Sequence, residues 1–366
     1  MVDLVSPGMG VSRDDVLTAY DMFLDRQPED EFAISWHMQF PSRRTLADHM
    51  LGSEEFRQRT QVPPAPANDQ VYAGYAPHQL GVFEHFPPYA GPGSPSFVTN
   101  FLGVRVRTSF STPLHAFDGY VEGYPVPVGG VQGETAEFIG TLRSVLDAGD
   151  RYALLECGAG YGPWMAMAAA AAGQRGISDL RLYGIEGDAG HYKFMSEHLD
   201  DNGVGPESRT LIHGAVGAVA GTARWAVVDN AADVYGGRPM EDGPTDYHGT
   251  PQSRLIEVEV HSINDLLQRE PVWDLVHVDI QGGEGALCRA GIEAMNQRVR
   301  RVVIGTHSRA LDGEVMSVFH AADWVLENEK PTIMVWREGA PTLETMARVD
   351  GVQVWRNPRL VGAPAT

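Results

Sequence analysis

The residues best suited to chemistry lie in the stretch LLECGAGYGPW, residues 154–164. Two aliphatic residues lead to the acid Glu156, and glycines follow at every second position as Gly158, Gly160 and Gly162. Glycine loses more conformational entropy on folding than any other residue, so this density indicates a turn that a ligand approaches closely. A glycine turn between a strand and a helix predicts a nucleotide site, because unpaired N–H groups of the helix face the ligand.

The spacing of the glycines distinguishes two classes of ligand. The dinucleotide fingerprint is G-x-G-x-x-G, whereas this turn reads G-x-G-x-G with an acid two residues before the first glycine. A carboxylate beside a helix N-terminus repels a pyrophosphate but attracts an ammonium group. Glu156 therefore points to S-adenosylmethionine, whose methionine end is zwitterionic and whose sulfur is a sulfonium.

A second acid, Glu186, ends the next apolar strand in the stretch YGIEGD. A planar carboxylate there can accept hydrogen bonds from two ribose hydroxyls, and losing either bond in a dry site is costly. That pairing alone also fits NAD, so the choice of S-adenosylmethionine depends on Glu186 and the turn together. Ala215 and Val216, at the end of the third predicted strand, are expected to pack against the adenine ring. The predicted cofactor contacts are Glu156, Gly158, Ala159, Gly160, Tyr161, Gly162, Glu186, Gly187, Ala215, Val216 and Asp279.

Methyl transfer to a hydroxyl also needs a base or a metal, and two residues are predicted to be catalytic. Asp279 closes the apolar strand LVHVDI at the sheet edge where α/β proteins bind ligands. His307 ends the next strand and is a credible base if its pKa is near the usual value; a buried histidine that donates to a carbonyl is the alternative. Glu284 either completes a site for a divalent cation such as Mg²⁺ or is a helix-start carboxylate favoured by the dipole.

The long polar segment at residues 227–250 is the remaining candidate for the acceptor side. Long loops in compact domains are usually functional or disordered, so this segment is predicted to be either a lid or a solvated loop. Its candidate residues are Asp229, Asp233, Tyr235 and His248.

The elements that must position these residues alternate between strand and helix beyond Gly133. This alternation is typical of a parallel α/β sheet covered on both faces. RTLIHGAVG is predicted to contain the third strand, and TIMVWRE and GVQVWRN are predicted to contain the last ones. Before this region, FVTNFLGVRVRTSF alternates in polarity and is predicted to be one strand.

The C-terminal half also carries a family pattern. VDIQGGEGALCRAG, residues 278–291, followed by VVIGTHS, residues 302–308, resembles the FkbM family of S-adenosylmethionine-dependent methyltransferases. The D-x-(E/Q)-G-x-E element matches Asp279 and Glu284, while Gly283 replaces the alanine or larger residue that is more usual. The resemblance implies a class I methyltransferase fold, a Rossmann-like seven-stranded sheet with an antiparallel last strand. It also implies O-methylation, commonly of sugar hydroxyls in polysaccharides or natural products.

Three domains are predicted on this basis. Residues 1–61 form a small helical domain, similar to a module of bacterial surface-glycan and secreted-repeat proteins. Residues 62–132 form a linker and an irregular region on the substrate side. Residues 133–366 form the S-adenosylmethionine-dependent methyltransferase domain.

Composition excludes several partners. The formal net charge of −20 argues against nucleic acid and anionic membranes. The most apolar run, residues 163–172, is shorter than the roughly 20 residues of a membrane span, and the start of the sequence has no signal-peptide pattern. Only Cys157 and Cys288 are present, which favours reduced thiols and a cytoplasmic protein.

The function predicted from these features is O-methylation of a hydroxyl on a sugar, glycan or glycosylated natural product. Two alternatives stay open: an NAD-dependent oxidoreductase on a Rossmann-like fold, and a non-catalytic scaffold protein that binds a ligand. The identity of the acceptor, the metal requirement and a homo-oligomeric state are left undecided by the sequence.

Overall fold

The computed structural model describes residues 11–24, 26–53, 55–56, 74–127, 129–240, 243, 245–247 and 249–362. The chain divides into two compact units, residues 1–71 and 72–366. Within the described ranges, none of the helices is both long enough and apolar enough to span a bilayer.

The described residues of the first unit form the helices α1 Arg13–Leu24, α2 Glu31–His37 and α3 Arg43–Gly52. Two of them begin at side-chain caps: Asp30 accepts a hydrogen bond from the N–H of Ala33, and Ser42 caps α3. The short helix α2 has no counterpart in the sequence prediction. The apolar core of this unit consists of Val11, Val16, Ala19, Tyr20, Leu24, Ile34, Leu46 and Met50.

Every strand that the structure describes lies in the second unit, together with six further α-helices. The strands are β1 Phe97–Thr99, β2 Arg105–Arg107, β3 Arg151–Cys157, β4 Asp179–Glu186, β5 Arg209–His213, β6 Ala215–Gly217, β7 Gly221–Ala226, β8 Leu255–Ser262, β9 Leu275–Val278, β10 Arg301–Thr306, β11 Val325–Lys330, β12 Ile333–Met334, β13 Ala347–Val349 and β14 Gly351–Arg356. The helices are α4 Thr135–Leu146, α5 Pro163–Gln174, α6 Ala189–Asp201, α7 Ile263–Leu267, α8 Glu284–Arg298 and α9 Arg309–Ala321.

The main sheet has seven strands in the order β11–β14–β10–β9–β3–β4–β5. The β3–β4, β4–β5, β3–β9 and β9–β10 pairs are parallel, whereas β14 is antiparallel to both of its neighbours. One apolar core contains residues of α4, α5 and α6, and a second contains residues of α7, α8 and α9. This confirms the predicted fold, a class I methyltransferase sheet with helices on both faces and an antiparallel last strand.

Three strand predictions were wrong in detail. The stretch predicted as one strand before the sheet is the hairpin β1–β2, because Asn100 Oδ1 accepts hydrogen bonds from the N–H groups of Leu102 and Val104 and closes a turn. TIMVWRE contributes only β12, which pairs with β13 outside the main sheet. The edge position in the sheet belongs to β11, whose sequence VLENEK is too polar to read as an apolar strand.

The third strand of the sheet is also shorter than predicted. It ends at His213, and Ala215 and Val216 belong to β6 in a separate three-stranded sheet of order β6–β8–β7. Gly214 separates the two strands, and a Cβ there would lie 2.8 Å from the Glu259 carbonyl oxygen. The chain can therefore leave one sheet and enter the other within a single residue.

Candidate functional site

The glycine turn after β3 has the backbone that its composition indicates. Gly158, Gly160 and Gly162 have φ angles of 74°, 55° and 73°, all in the left-handed region. A Cβ at Gly158 would overlap the carbonyl oxygen of Asp279 at the end of β9. The turn therefore brings the backbone after β3 against the backbone after β9, at the carboxyl edge of the sheet.

Glu156 lies beneath this turn. Its carboxylate is only 1% exposed and accepts hydrogen bonds from the N–H groups of Trp164 at 3.3 Å and Met165 at 2.9 Å. Burial raises the pKa of Glu156 to about 7, although His277 and the two N–H groups act in the opposite direction. In this structure the side chain caps α5, and its predicted contact with an ammonium group stays a prediction.

Glu186 ends β4 at the same edge of the sheet. Its Oε2 accepts from the N–H of Gly160 at 2.8 Å and its Oε1 from the N–H of Asp188 at 2.7 Å. Burial raises the pKa of Glu186 to about 7. The carboxylate is thus oriented by the turn itself, with one edge towards the adjacent cavity.

That cavity has a volume of about 480 Å³ and runs along the carboxyl edge of the sheet. Seven predicted cofactor residues line it: Gly158, Gly160, Glu186, Gly187, Ala215, Val216 and Asp279. Four others, Glu156, Ala159, Tyr161 and Gly162, do not line it among the residues that the structure describes. S-adenosylmethionine needs a turn without side chains, a fixed carboxylate and an apolar wall. The cavity provides all three, so the residues present fit this cofactor.

A cluster of two acids and one histidine lies beside the glycine turn, and one of its members, Asp279, lines the cavity. His307, which follows β10, has Nε2 at 3.1 Å from Asp279 Oδ1 and Nδ1 at 2.9 Å from Glu284 Oε1. Neither contact has the direction of a hydrogen bond, so both are ion pairs. Burial lowers the pKa of His307, but the two carboxylates outweigh it and raise the pKa to about 11.

His307 is therefore an imidazolium at neutral pH. The premise that the pKa of His307 is near the usual value was wrong. The ring lies between the carboxylates of Asp279 and Glu284, and the sequence alone does not show that arrangement. A protonated imidazole cannot accept a proton, so in this arrangement His307 balances charge. Asp279 faces the cavity, where its Oδ1 also accepts a hydrogen bond from Gln281 Nε2 at 3.1 Å.

The D-x-Q-G-x-E element forms a tight turn around this cluster. Gln281 and Gly282 have φ angles of 57° and 114°. Glu284 has no exposed surface, and its carboxylate accepts hydrogen bonds from the N–H of Ile280 at 3.1 Å and of Gly282 at 3.0 and 3.1 Å. Glu284 therefore closes the turn that places Asp279.

The same cluster was predicted as a candidate cation site, and its ligand atoms do lie within 4.8 Å of one another. However, both oxygens of Glu284 already accept backbone N–H groups, and the two ring nitrogens of His307 face different carboxylates. A divalent cation needs free lone pairs that converge on one point. The donor set as arranged does not fit such an ion.

A second cavity of about 240 Å³ adjoins the first. Both cavities are lined by His191, Trp225, Tyr235 and residues 236–239. The ring of Tyr235 stacks on His191 with 4.2 Å between centroids, and its hydroxyl donates to the Phe110 carbonyl at 2.6 Å. The segment between β7 and β8 thus forms the wall that the two cavities share.

The other candidates on this segment lie elsewhere. Asp229 pairs with Arg254 at 2.6 Å on the surface, and Asp233 accepts hydrogen bonds from Thr112 and Asn230. His248 lies outside the described residues. Sequence reasoning missed Arg238, which lines both cavities, and Asp350, which lines the larger one; the position of Asp350 directly before β14 was the available signal.

Comparison with known proteins identifies one curated relative. No protein-family model matches the chain. A protein of Jannaschia sp. (strain CCS1) described as "Putative methyltransferase" is 32% identical over 278 residues, which cover 75% of this chain and 97% of the relative.

Solved structures with a similar fold include two methyltransferases. The methyltransferase FkbM from Methylobacillus flagellatus KT matches with a TM-score of 0.36 and 14% identity, over 56% of this chain and 44% of that one. The precorrin-6y C5,15-methyltransferase from Geobacter metallireducens GS-15 matches with a TM-score of 0.35 and 10% identity, over 63% of this chain and 92% of that one. The chain thus covers less than half the length of the FkbM structure.

Proposed function

This chain belongs to a family of methyltransferases. We propose that it is an FkbM-type enzyme that uses S-adenosylmethionine to methylate a hydroxyl of a sugar, glycan or glycosylated natural product. The observation that carries the proposal is one cavity lined by the glycine turn, by Glu186 and by Asp279, at the carboxyl edge of the sheet. A cofactor held at the turn would present its methyl group to an acceptor beside these acids.

The roles of the residues follow from their positions. S-adenosylmethionine, when bound, supplies an electrophilic methyl group. Gly158 and Gly160 would admit the cofactor against the backbone, and Glu186 would accept hydrogen bonds from its ribose hydroxyls. Ala215 and Val216 would pack against its adenine. Asp279, held by His307, accepts a hydrogen bond from the acceptor and orients it, and orientation is a large part of catalysis in such displacements.

The second cavity supports a hydroxyl-rich acceptor. Its walls combine aromatic rings with polar groups: Trp225, Tyr235 and Tyr247 stand beside Arg238, Thr245 and Asp246. Arg238 lies over the ring of Tyr247 at 4.1 Å and donates to the Gln281 carbonyl at 2.9 Å, which connects this wall to the turn at Asp279. Flat apolar faces with convergent polar groups are suited to a sugar ring.

We also propose a cytoplasmic protein whose partner is a small-molecule or glycan acceptor and not nucleic acid. Cys157 and Cys288 are free and buried, as expected of a protein kept in a reducing compartment. The net charge of −20 is unfavourable for a nucleic-acid partner. Fractionation of cells that express the chain tests the location.

The first experiment is calorimetric titration with S-adenosylhomocysteine, with NADH as the control ligand. The wild-type protein is expected to bind the first and not the second. Glu186→Ala is expected to weaken binding roughly tenfold or more, since a charged hydrogen-bond acceptor is lost, whereas the exposed Glu338→Ala is the matched control. Binding of NADH in place of S-adenosylhomocysteine contradicts the proposed cofactor.

The acceptor class is tested separately. Transfer of a tritiated methyl group from S-adenosylmethionine is measured to a panel of methyl hexopyranosides, 6-deoxyhexosides and their glycan fragments, with amines and phenols as controls. Exclusive transfer to the amines would overturn O-methylation while leaving the cofactor assignment intact.

A further inference from the structure

Three strand ends meet where the cavity approaches its acceptor side. β9 and β10 are parallel with Ile304 opposite Val278, so Asp279 comes next to Gly305. β10 and β14 are antiparallel with Thr306 opposite Gly351, so the register continued by one residue places Asp350 opposite His307. Because β14 runs against its neighbours, its amino end lies at the carboxyl edge of the sheet.

The start of β14 is held tightly at this edge. A Cβ at Gly351 would overlap Thr306 Oγ1 and would lie 2.8 Å from the Thr332 N–H nitrogen. The backbone beside Asp350 is therefore pressed against β10, and the position of Asp350 is set by the sheet and not by a free loop.

Asp350 differs from Glu186 and Asp279, the other two acids that line the cavity, in having no partner among the described residues. Glu186 accepts two backbone N–H groups, and Asp279 is paired with His307. The carboxylate of Asp350 lines the cavity and is exposed to it, with no hydrogen bond or ion pair to any residue in the described part of the chain. A cavity-lining acid without a protein partner is available to a ligand.

We propose that Asp350 is the catalytic base that accepts the proton of the acceptor hydroxyl. This inference depends on the proposed O-methyltransferase function and names the residue that function still lacks, since His307 holds its own proton. As the hydroxyl oxygen bonds to the methyl carbon, the carbon–sulfur bond breaks and its electron pair stays on sulfur. The O–H bond breaks as well, and its proton goes to Asp350. The products are a methyl ether, neutral S-adenosylhomocysteine and a protonated Asp350.

The charges around Asp350 support this assignment. Partial desolvation at the cavity wall raises the pKa of Asp350. The carboxylates of Asp279, Glu284 and Glu137 raise it further, and the His307 imidazolium lowers it, so that the pKa lies above the usual value. Burial raises the pKa of Tyr247, and the negative charge of Asp350 is among the further causes. Asp279 has a lowered pKa, because His307 and Gln281 outweigh its burial. Of the two acids, Asp350 is the better match for a base at neutral pH.

The test compares Asp350→Asn and Asp350→Glu with Asp323→Asn. Asp323 is an exposed aspartate just before β11, at the opposite edge of the sheet. We expect Asp350→Asn to keep its affinity for S-adenosylhomocysteine within about twofold and to lose roughly 100-fold or more in kcat on the glycoside panel, the usual range for a lost base. Asp350→Glu should recover part of kcat, and Asp323→Asn should match the wild type.

A second readout does not need an acceptor. In protein labelled with ¹³C at the aspartate carboxyl groups, the resonance missing from Asp350→Asn is expected to titrate above the usual aspartate range. A wild-type kcat in Asp350→Asn, or an Asp350 resonance at or below the usual range, overturns the proposal. If the wild type methylates no hydroxyl, the proposed function fails on its own, and the titration still decides whether Asp350 can act as a base.

Discussion

Two neighbouring regions of the main cavity, the glycine turn and the cluster of Asp279, Glu284 and His307, shift the pKa values of their acids in opposite directions. Around the glycine turn, Glu156 and Glu186 are buried with backbone N–H groups as partners, and the pKa of each is raised to about 7. In the cluster of Asp279, Glu284 and His307, a cation stands between the acids, and the pKa of Asp279 is lowered instead. The pKa of an acid at a strand end therefore does not follow from its position alone. It depends on whether an opposite charge lies beside it.

The substitution His307→Ala is expected to have the largest effect on this difference between the two regions. It removes the cation that lies between two carboxylates. Breaking the buried His307–Glu284 pair costs about 3–5 kcal/mol of unfolding free energy, whereas Asp279, whose side chain is 40% exposed, adds little. Urea denaturation at neutral pH measures the loss, with the exposed His320→Ala as the control. A loss below about 1 kcal/mol would show that the cluster is solvated and that the contrast is unfounded.

The substitution Gly158→Ala tests the close approach of the glycine turn to the backbone at Asp279. The left-handed φ of 74° and the overlap of a Cβ with Asp279 predict a loss of about 1–3 kcal/mol in stability. Affinity for S-adenosylhomocysteine should fall as well, since the backbone must shift. Gly173→Ala, an exposed helical position with open space around its Cα, is expected to be neutral or stabilising. Equal effects of the two substitutions would contradict the close approach.

A smaller effect concerns pH. Because the pKa of Glu156 rises from 4.5 when unfolded to about 7 when folded, the folded state binds the extra proton between these values. Its contribution to stability is therefore largest below pH 4.5 and is lost as the pH rises towards 7. Glu156→Gln should flatten the fall in unfolding free energy over this window, and the exposed Glu338→Gln should not. An unchanged slope in Glu156→Gln would assign the pH dependence to other groups.

The smallest expected effect is that of removing metal. Because the donor set at Asp279, Glu284 and His307 is occupied by its own contacts, dialysis against EDTA should change methyl transfer by less than about twofold. Loss of activity with EDTA that Mg²⁺ restores would reinstate the predicted cation site.

The sequence predicted the main sheet and the glycine turn because the patterns that indicate them lie within short stretches of the chain. Each of these patterns occupies a few consecutive residues: the glycine spacing, Glu186 at a strand end and the D-x-Q-G-x-E element. The backbone conformation that each one needs can be inferred from the types of residue present. The sequence analysis did not predict strand β11, VLENEK. An edge strand joins a sheet through backbone hydrogen bonds and needs no apolar pattern. The prediction that Ala215 and Val216 end the third strand of the main sheet was wrong, because a change of sheet at Gly214 leaves the apolar pattern unbroken. Both residues nevertheless line the cavity.

By itself, the sequence determined the class of the fold, the glycine turn and the acids at the strand ends. The tertiary structure alone decided what those acids do. Glu156 caps a helix, His307 is charged between two carboxylates, and Asp350 reaches the cavity from a strand far along the chain. The physical reason is that a pKa and a partner depend on charges within a few ångströms, and strand register brings those charges together across more than 70 residues, as from Asp279 to Asp350.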